Sequence, residues 1–528
     1  MVLWLSGFLF LTASVVQAAF DRYDDLAVGI PNKAVGWESS DSGAAAVFYG
    51  APPGLAMDGQ FDDQLWSRDT PGIEGYASLF DHFGASLVVG DFNGDGQQDL
   101  AVGVPDGKFG TSDGGVVYII FGGPIGLRNT GSQLWTQERT ETGNISGGSD
   151  AFGFSLAAGD FNKDGFSDLA IGVPNRQIFT AARAGAVYVL YGSGVGLTNL
   201  NSQVWHQGVA GMAGGVEEFD NFGHSLTTGD FNGDGFVDLA VGAPGEGVSG
   251  FILAGAVHII YGSASGLSAT SNQLWHEELL GFPTGVSHFF GWALTAGDYN
   301  GDGKADLAIG TPGANLEAGG ADRGAVMVLY GTVSGLSASG QQYWRQGASG
   351  INGTAKDNDR FGEALASGDF NGDGYSDLSV GAPGDDVSGV AGSGAVNVIY
   401  GSSLGLIALN NQIWHQDLFS GSAAEVDDAF GKALASGDFN GDGFFDLAVG
   451  VPQEDLLSLL KAIPNAGAVH IVYGSPAGLT SISSMFLHQN TGGVLGAAEN
   501  DDRFGSALAA GKFGKPEGLL FLPLILRN

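Results

Sequence analysis

Cysteine is absent from all 528 residues, which excludes a disulfide framework, thiolate metal sites and a cysteine nucleophile. Basic side chains are scarce: 20 Lys and Arg stand against 57 Asp and Glu, for a formal net charge of −37. Nucleic acids and anionic membranes need clustered Lys and Arg, so neither is expected as a partner, and cations are the natural counter-charge. Long apolar runs are also missing. Leu519 to Leu526 is broken by Pro523 and falls far short of the roughly 20 residues a spanning helix needs. The other apolar stretch, Val2 to Val16, is followed by Gln17, Ala18 and Ala19 and reads as a signal peptide. The expected organisation is a signal peptide over residues 1–18, a repeat domain over 19–518 and a short apolar tail over 519–528, in a secreted or surface-associated protein with no membrane span.

Glycine is what the chain has in quantity. Its 92 residues disfavour a helix-rich enzyme or a coiled coil, because glycine weakens helices. The glycines recur with a period near 70 residues. Phe-Gly pairs start at Phe83, Phe152, Phe222, Phe290, Phe361, Phe430 and Phe504, each followed by a short strand of small residues. An aspartate-rich loop comes next, then a strand ending in Gly-x-Pro at Pro31, Pro105, Pro174, Pro244, Pro312, Pro383 and Pro452. A third, almost wholly apolar strand such as Ala186 to Tyr191 reads as buried on both faces. The fourth carries Trp66, Trp135, Trp205, Trp275, Trp344 and Trp414, with Leu487 in the seventh unit, and their regular spacing marks core packing more than a carbohydrate platform. Four short strands per unit, seven times over, predict an all-β fold: a seven-bladed β-propeller of four-stranded antiparallel blades. The mature chain begins near a second strand and ends on an inner strand, so the two ends are expected to complete one blade and close the ring.

Six units place Asp-x-Asn-x-Asp-Gly-x-x-Asp between their first two strands. The candidate ligands are Asp91, Asn93, Asp95, Gln97 and Asp99, then Asp160, Asn162, Asp164, Phe166 and Asp168, then Asp230, Asn232, Asp234, Phe236 and Asp238. The later loops offer Asp298, Asn300, Asp302, Lys304 and Asp306, then Asp369, Asn371, Asp373, Tyr375 and Asp377, then Asp438, Asn440, Asp442, Phe444 and Asp446. Calcium takes six to eight oxygens, and alternate residues of a tight loop can converge on one ion. The seventh position, whose side chain varies, would give its backbone carbonyl. An EF-hand needs an acid at position twelve, where Val102 and Ile171 stand, so the aspartate at position nine must close the loop. A turn alone needs no such oxygen pattern, and clustered aspartates repel without a cation. About six calcium ions are expected. The ends depart from the pattern: Asp21 to Asp25 resembles a shortened loop and Lys512 to Glu517 lacks aspartate.

Phe-Gly, the aspartate loop, Gly-Ala-Pro at Gly242 to Pro244 and Gly381 to Pro383, and the Tyr-Gly that follows together resemble the FG-GAP repeats of integrin alpha subunits, over roughly residues 20 to 514. The resemblance implies a seven-bladed propeller with calcium in hairpin loops on one face and partner binding on the other, often in cell adhesion. Similar repeats accompany a glycosylphosphatidylinositol-cleaving phospholipase. Six calcium loops exceed the number usual for an integrin alpha chain, and a free-standing relative is the expectation.

Loops joining strands two to three, and four to the next one, must lie opposite the aspartate loops. They vary most, as in Asn175 to Ala184, Gly313 to Arg323 and Gln453 to Asn465, and variable loops on a rigid scaffold usually carry recognition. Acidic residues before Phe-Gly, namely Glu217, Glu218, Asp220, Asp357, Asp359, Glu425, Asp427 and Asp428, are the candidate partner contacts, for a cationic or metal-bridged extracellular protein or glycan. The alternative for them is turns that cap the first strand. No Gly-x-Ser-x-Gly elbow, phosphate loop or His-Glu-x-x-His occurs. His206, His276, His415 and His488 follow the Trp position, and His258 and His470 share a third-strand position, so most histidines belong to the repeat. His82 and His224 lie beside Phe-Gly motifs, and His288 stands where the other units have aspartate. The alternative to a binding module is a propeller-fold hydrolase or lyase acting on an extracellular glycan or lipid, with catalytic residues on separate loops.

Overall fold

The computed structural model describes residues 22–35, 41–56, 63–109, 114–140, 148–315, 320–348, 350–458 and 461–514. The expected signal peptide at 1–18 and tail at 519–528 lie outside them. Seven four-stranded antiparallel sheets form the molecule, and helix is confined among the described residues to 137–140 and one 3₁₀ turn at 416–418. No helix there is long and apolar enough to cross a membrane.

Blades are numbered here from the one whose inner strand is Ser86–Gly90, followed by Asp99–Val104, Val116–Phe121 and Arg128–Trp135. Blade 2 begins at Ser155, blade 3 at Ser225, blade 4 at Leu294, blade 5 at Ala364 and blade 6 at Ala433. The inner strands contact one another in order around the axis, and the last contacts the first. Small side chains are required there because seven strands converge. Second and third strands, such as Asp168–Val173 and Ala186–Tyr191, are buried at every residue. Their apolar faces meet those of the next blade: Ile119 and Val117 of blade 1 share a cluster with Leu169, Ile171 and Tyr188 of blade 2. The core is thus a set of layers between blades. All seven Phe-Gly phenylalanines are fully buried in these layers, and losing one ring should cost about 3–5 kcal/mol. The Trp series is buried or half-buried in the fourth strands, and Leu487 replaces it at 1 % exposure.

Blade 7 is made by both ends of the chain. Its inner strand is Ala507–Gly511, followed by Asp25–Ile30, Ala44–Phe48 and Gln64–Trp66. Asp25 lies opposite Gly511 and Gly29 opposite Ala507. Beyond that pairing, Phe513 N–H donates to Asp25 Oδ2 at 2.8 Å, and Asp438 N–H of blade 6 donates to Asp24 Oδ2 at 2.8 Å. One feature was not predicted: the variable loop after Pro452 carries its own hairpin, Leu456–Ser458 against Lys461–Ile463.

Candidate metal centres and the opposite face

The aspartate loops are the hairpins between first and second strands. In blade 1, Asp91 Oδ1 accepts the N–H of Gly94 at 2.7 Å and of Asp95 at 3.2 Å, and its Oδ2 accepts Gly96 N–H at 2.9 Å. Asn93 Oδ1 accepts Asp95 N–H, and Asp95 Oδ1 accepts Gln97 N–H. The bond from the sixth-position glycine to the first aspartate recurs in the other five loops at 2.8–2.9 Å. Gly96 has φ +84° and a Cβ there would meet nothing within 4 Å, so the glycine serves the turn's left-handed backbone and not crowding. The aspartate at position nine differs from the rest. Asp99 is fully buried, with Oδ2 accepting Phe92 N–H and Oδ1 accepting Gly122 N–H at the far end of the third strand.

Burial pushes Asp99, Asp168, Asp238 and Asp306 up to about 7, and Asp377 and Asp446 up to about 8; two backbone N–H groups oppose this and the charges of the loop's other two aspartates add to it. The donor set in each loop is carboxylate, amide and carbonyl oxygen only, which suits a hard cation. In none of the six loops do three carboxylate oxygens lie within 4.8 Å of one another, because each accepts loop N–H groups. Side-chain rotation about these turns would be needed to gather them.

On the opposite face the candidate partner residues divide. Glu217, Glu218, Asp357, Glu425 and Asp427 are exposed, whereas Asp220, Asp359 and Asp428 are 0–1 % exposed and out of a partner's direct reach. This corrects their assignment as contacts. Each turns Oδ2 inward to accept the N–H three residues earlier, from Glu217 at 2.7 Å, Lys356 at 2.5 Å and Glu425 at 2.6 Å. Burial raises Asp220 and Asp428 to about 6 and Asp359 to about 7. They are caps, as the plainer reading of the sequence allowed.

The histidines are placed with similar economy. His258 and His470 are fully buried beneath Phe222 and Phe430, and His224 packs between Phe154 and Trp292. His288, the substitution in the repeat, is buried against Glu277 at 2.7 Å. None of these four histidines lines the cavity that opens on this face. Two interactions escaped the sequence reading. The tyrosine of Tyr-Gly donates to the glutamine of Gln-x-Trp in its own blade and accepts a backbone N–H from the next: Tyr330 Oη donates to Gln342 and accepts Leu406 N–H. The residue two after the Trp position, usually glutamine, is buried against an acid of the following blade: Gln137 on the capping Asp150, and Gln207, Gln346 and Gln416 on Glu246, Asp385 and Glu454, each two residues after Gly-x-Pro. Both recur in the sequence, and that recurrence was the signal available.

A cavity of about 270 Å³ opens on this face among Arg360, Glu363, Asp427, Lys432, Gln453 and Arg503. Glu363 is paired with both Arg360 and Lys432.

The family model described as FG-GAP repeat matches residues 83–120, 152–190, 222–260, 290–329, 361–399 and 430–472, each match running from Phe-Gly through the aspartate loop into the third strand. Phosphatidylinositol-glycan-specific phospholipase D of Bos taurus is 34 % identical over 191 residues, 36 % of this chain and 21 % of that protein. Integrin alpha-PS2 of Drosophila melanogaster is 34 % identical over 235 residues, covering 43 % and 15 %, and Integrin alpha-5 of Xenopus laevis 34 % over 253 residues, covering 45 % and 21 %. The chain therefore spans about a fifth or less of the length of these relatives. Rhamnogalacturonan lyase YesW is similar at 13 % identity and a TM-score of 0.35, over 87 % of this chain and 76 % of that one, a likeness on which no argument is built.

Proposed function

This chain is an FG-GAP repeat protein of the integrin alpha-like kind, and from that premise we propose that it is a secreted or cell-surface, calcium-loaded propeller that binds an extracellular protein or glycan through the face opposite its aspartate loops. The observation that carries the reading is the contrast between faces. Six near-identical hairpins occupy one. Loops of differing length and chemistry occupy the other and include exposed Phe179, Ile252 and Leu457; exposed apolar residues alone do not separate the faces, since Ile125, Val195, Val333 and Leu404 stand out beside the hairpins. Apolar anchors on varied loops over a rigid ring suit recognition. The exposed acids Glu218, Asp357, Glu425 and Asp427 favour a partner that is cationic or metal-bridged, with affinity that falls as salt rises.

Calcium would be held by the side-chain oxygens of Asp91, Asn93, Asp95 and Asp99 with the Gln97 carbonyl, and by their equivalents in the other five loops. Its charge would relieve the repulsion among three aspartates per hairpin. With a dissociation constant near 10⁻⁴ M, about 1 mM calcium adds roughly 1.4 kcal/mol per occupied site.

A glycan and extracellular-protein array probed with and without calcium should give a calcium-dependent hit. Replacing Phe179, Ile252 and Leu457 by serine should abolish that hit while leaving calcium content unchanged. Binding that survives the triple change but disappears when the aspartate-loop face is altered would place the surface on the wrong side. An unchanged melting temperature in excess chelator would remove the calcium part.

A further inference from the structure

Each of the seven junctions between a fourth strand and the next blade involves the same three positions: the residue two after the Trp position, the residue two before Phe-Gly, and the residue two after the proline of Gly-x-Pro. Where blade 6 meets blade 7 they are Gln489, Asp502 and Lys33, all buried. The Lys33 ammonium is held by Ala497 O at 2.6 Å, Glu499 Oε2 at 2.9 Å and Asp502 Oδ2 at 3.0 Å. This is a built cation site, occupied by the protein's own cation.

The junction between blades 2 and 3 keeps the cradle and loses the cation. Glu217 and Asp220 stand where Glu499 and Asp502 stand, with the same backbone bond: Glu217 N–H donates to Asp220 Oδ2 at 2.7 Å, and Glu499 N–H to Asp502 Oδ2 at 2.8 Å. In place of Lys33 is Glu246, 8 % exposed. Carboxylate oxygens of Glu217, Asp220 and Glu246 lie within 4.8 Å of one another, and no other group of three acids, histidines or cysteines does so among the described residues. Gln207, 4 % exposed, reaches into the cluster through its amide, which donates to Glu246. Its Oε1 accepts no hydrogen bond, and neither does the buried Oδ1 of Asp220.

Charge separates this junction from five of the other six. One ammonium and two carboxylates leave a single negative charge around Lys33, whereas the three acids around Glu246 carry three when all are ionised. Four further junctions supply a basic side chain: Arg68 on Asp81 at 2.6 Å, Arg176 at the Lys33 position with its guanidinium over the Tyr188 ring, His288 on Glu277 at 2.7 Å, and Lys356 at 3.9 Å from Asp385. The junction of blades 5 and 6, with Glu425, Asp428 and Glu454, repeats the composition but not the close approach of oxygens.

We propose that Glu217, Asp220 and Glu246 bind one hard divalent cation of the calcium kind, which stands in for the lysine of the equivalent junction. A double positive charge restores the single net negative charge that the Lys33 junction carries. Oxygen-only carboxylate donors select calcium over softer metals, and exposed Glu217 leaves a path to solvent. The site is additional to the aspartate loops and does not rest on the partner-binding reading.

The test counts calcium per chain by equilibrium dialysis of the full chain against radioactive calcium chloride, in the wild type, in Glu246→Lys and in Glu246→Met. Each variant should bind one ion fewer than the wild type. Glu246→Lys, which copies Lys33, should also keep a higher melting temperature in chelator than the wild type does. Equal ion counts in the wild type and a folded variant overturn the proposal; if the lysine variant does not fold, the near-isosteric methionine variant decides by its count alone. Failure of the aspartate-loop reading would appear instead as a low total in all three proteins, with the difference of one preserved.

Discussion

His258 and His470 occupy one position of the third strand, where other blades place Tyr118, Tyr188, Met327 and Asn397. Burial pushes the first down to about 4 and the second to about 3. Their folded values lie below the ordinary 6.5, so between pH 6.5 and 4 the unfolded chain takes up protons that the folded chain refuses. Their stabilising contribution is complete above about pH 6.5 and is lost as pH falls, by about 2–3 kcal/mol per histidine at pH 4.5. The double variant His258→Asn, His470→Asn, which copies the Asn397 of blade 5, should therefore flatten the fall in melting temperature between pH 7 and 4.5. An unchanged slope would show that these rings do not carry it. At this scale the sequence was legible where residue type and period agreed, as for the aspartate loops and the third-strand histidines. It misled for Asp220, Asp359 and Asp428, because a run of acids looks the same whether an oxygen faces solvent or caps a backbone N–H three residues back.

Strands and hairpins were predicted from spacing, and the spacing was sufficient because every blade repeats the alternation of small, acidic and apolar segments. The contact that couples blades was not predicted, since Tyr330 and Leu406 are 76 residues apart and a hydrogen bond between successive repeats leaves no mark in either alone. Tyr330→Phe removes the hydroxyl that Leu406 N–H and Gln342 Oε1 both use. A buried N–H and a half-buried amide oxygen then lack partners, and urea unfolding should report a loss of about 1–3 kcal/mol. The turn of the next blade is shaped to admit that hydroxyl: Gly405 has φ +85°, and a Cβ there would lie 1.9 Å from Tyr330 Oη. Gly405→Ala should cost at least as much as Tyr330→Phe, and a smaller loss would mean that the latch tolerates displacement.

Closure of the ring was legible because each end of the sequence holds what the other lacks, a second strand without a first and a first without a second. The position-nine aspartate survives even there: Asp25 accepts Gly50 N–H and Phe513 N–H, the two bonds that Asp99 makes in blade 1. Those bonds persist in a blade that lacks the Asp-x-Asn-x-Asp run between its first two strands, which assigns the ninth-position carboxylate a backbone-locking duty separate from any ion. Removing residues 502–528 would expose the Asp25–Ile30 edge and leave Asp25 short of one donor. Aggregation or a much lower melting temperature is expected, and a monomer with unchanged melting temperature would refute closure at this seam.

The seam also sets how the ring responds to force. Asp25 begins its strand beside the residue that ends the other, Gly511, so the two chain ends leave from the same end of one antiparallel ladder. A load that pulls them apart falls on one rung at a time and peels the seam like a zip, instead of being shared across all rungs as in shear. A molecule tethered by both ends would open at its clasp first, with the other six blades still stacked.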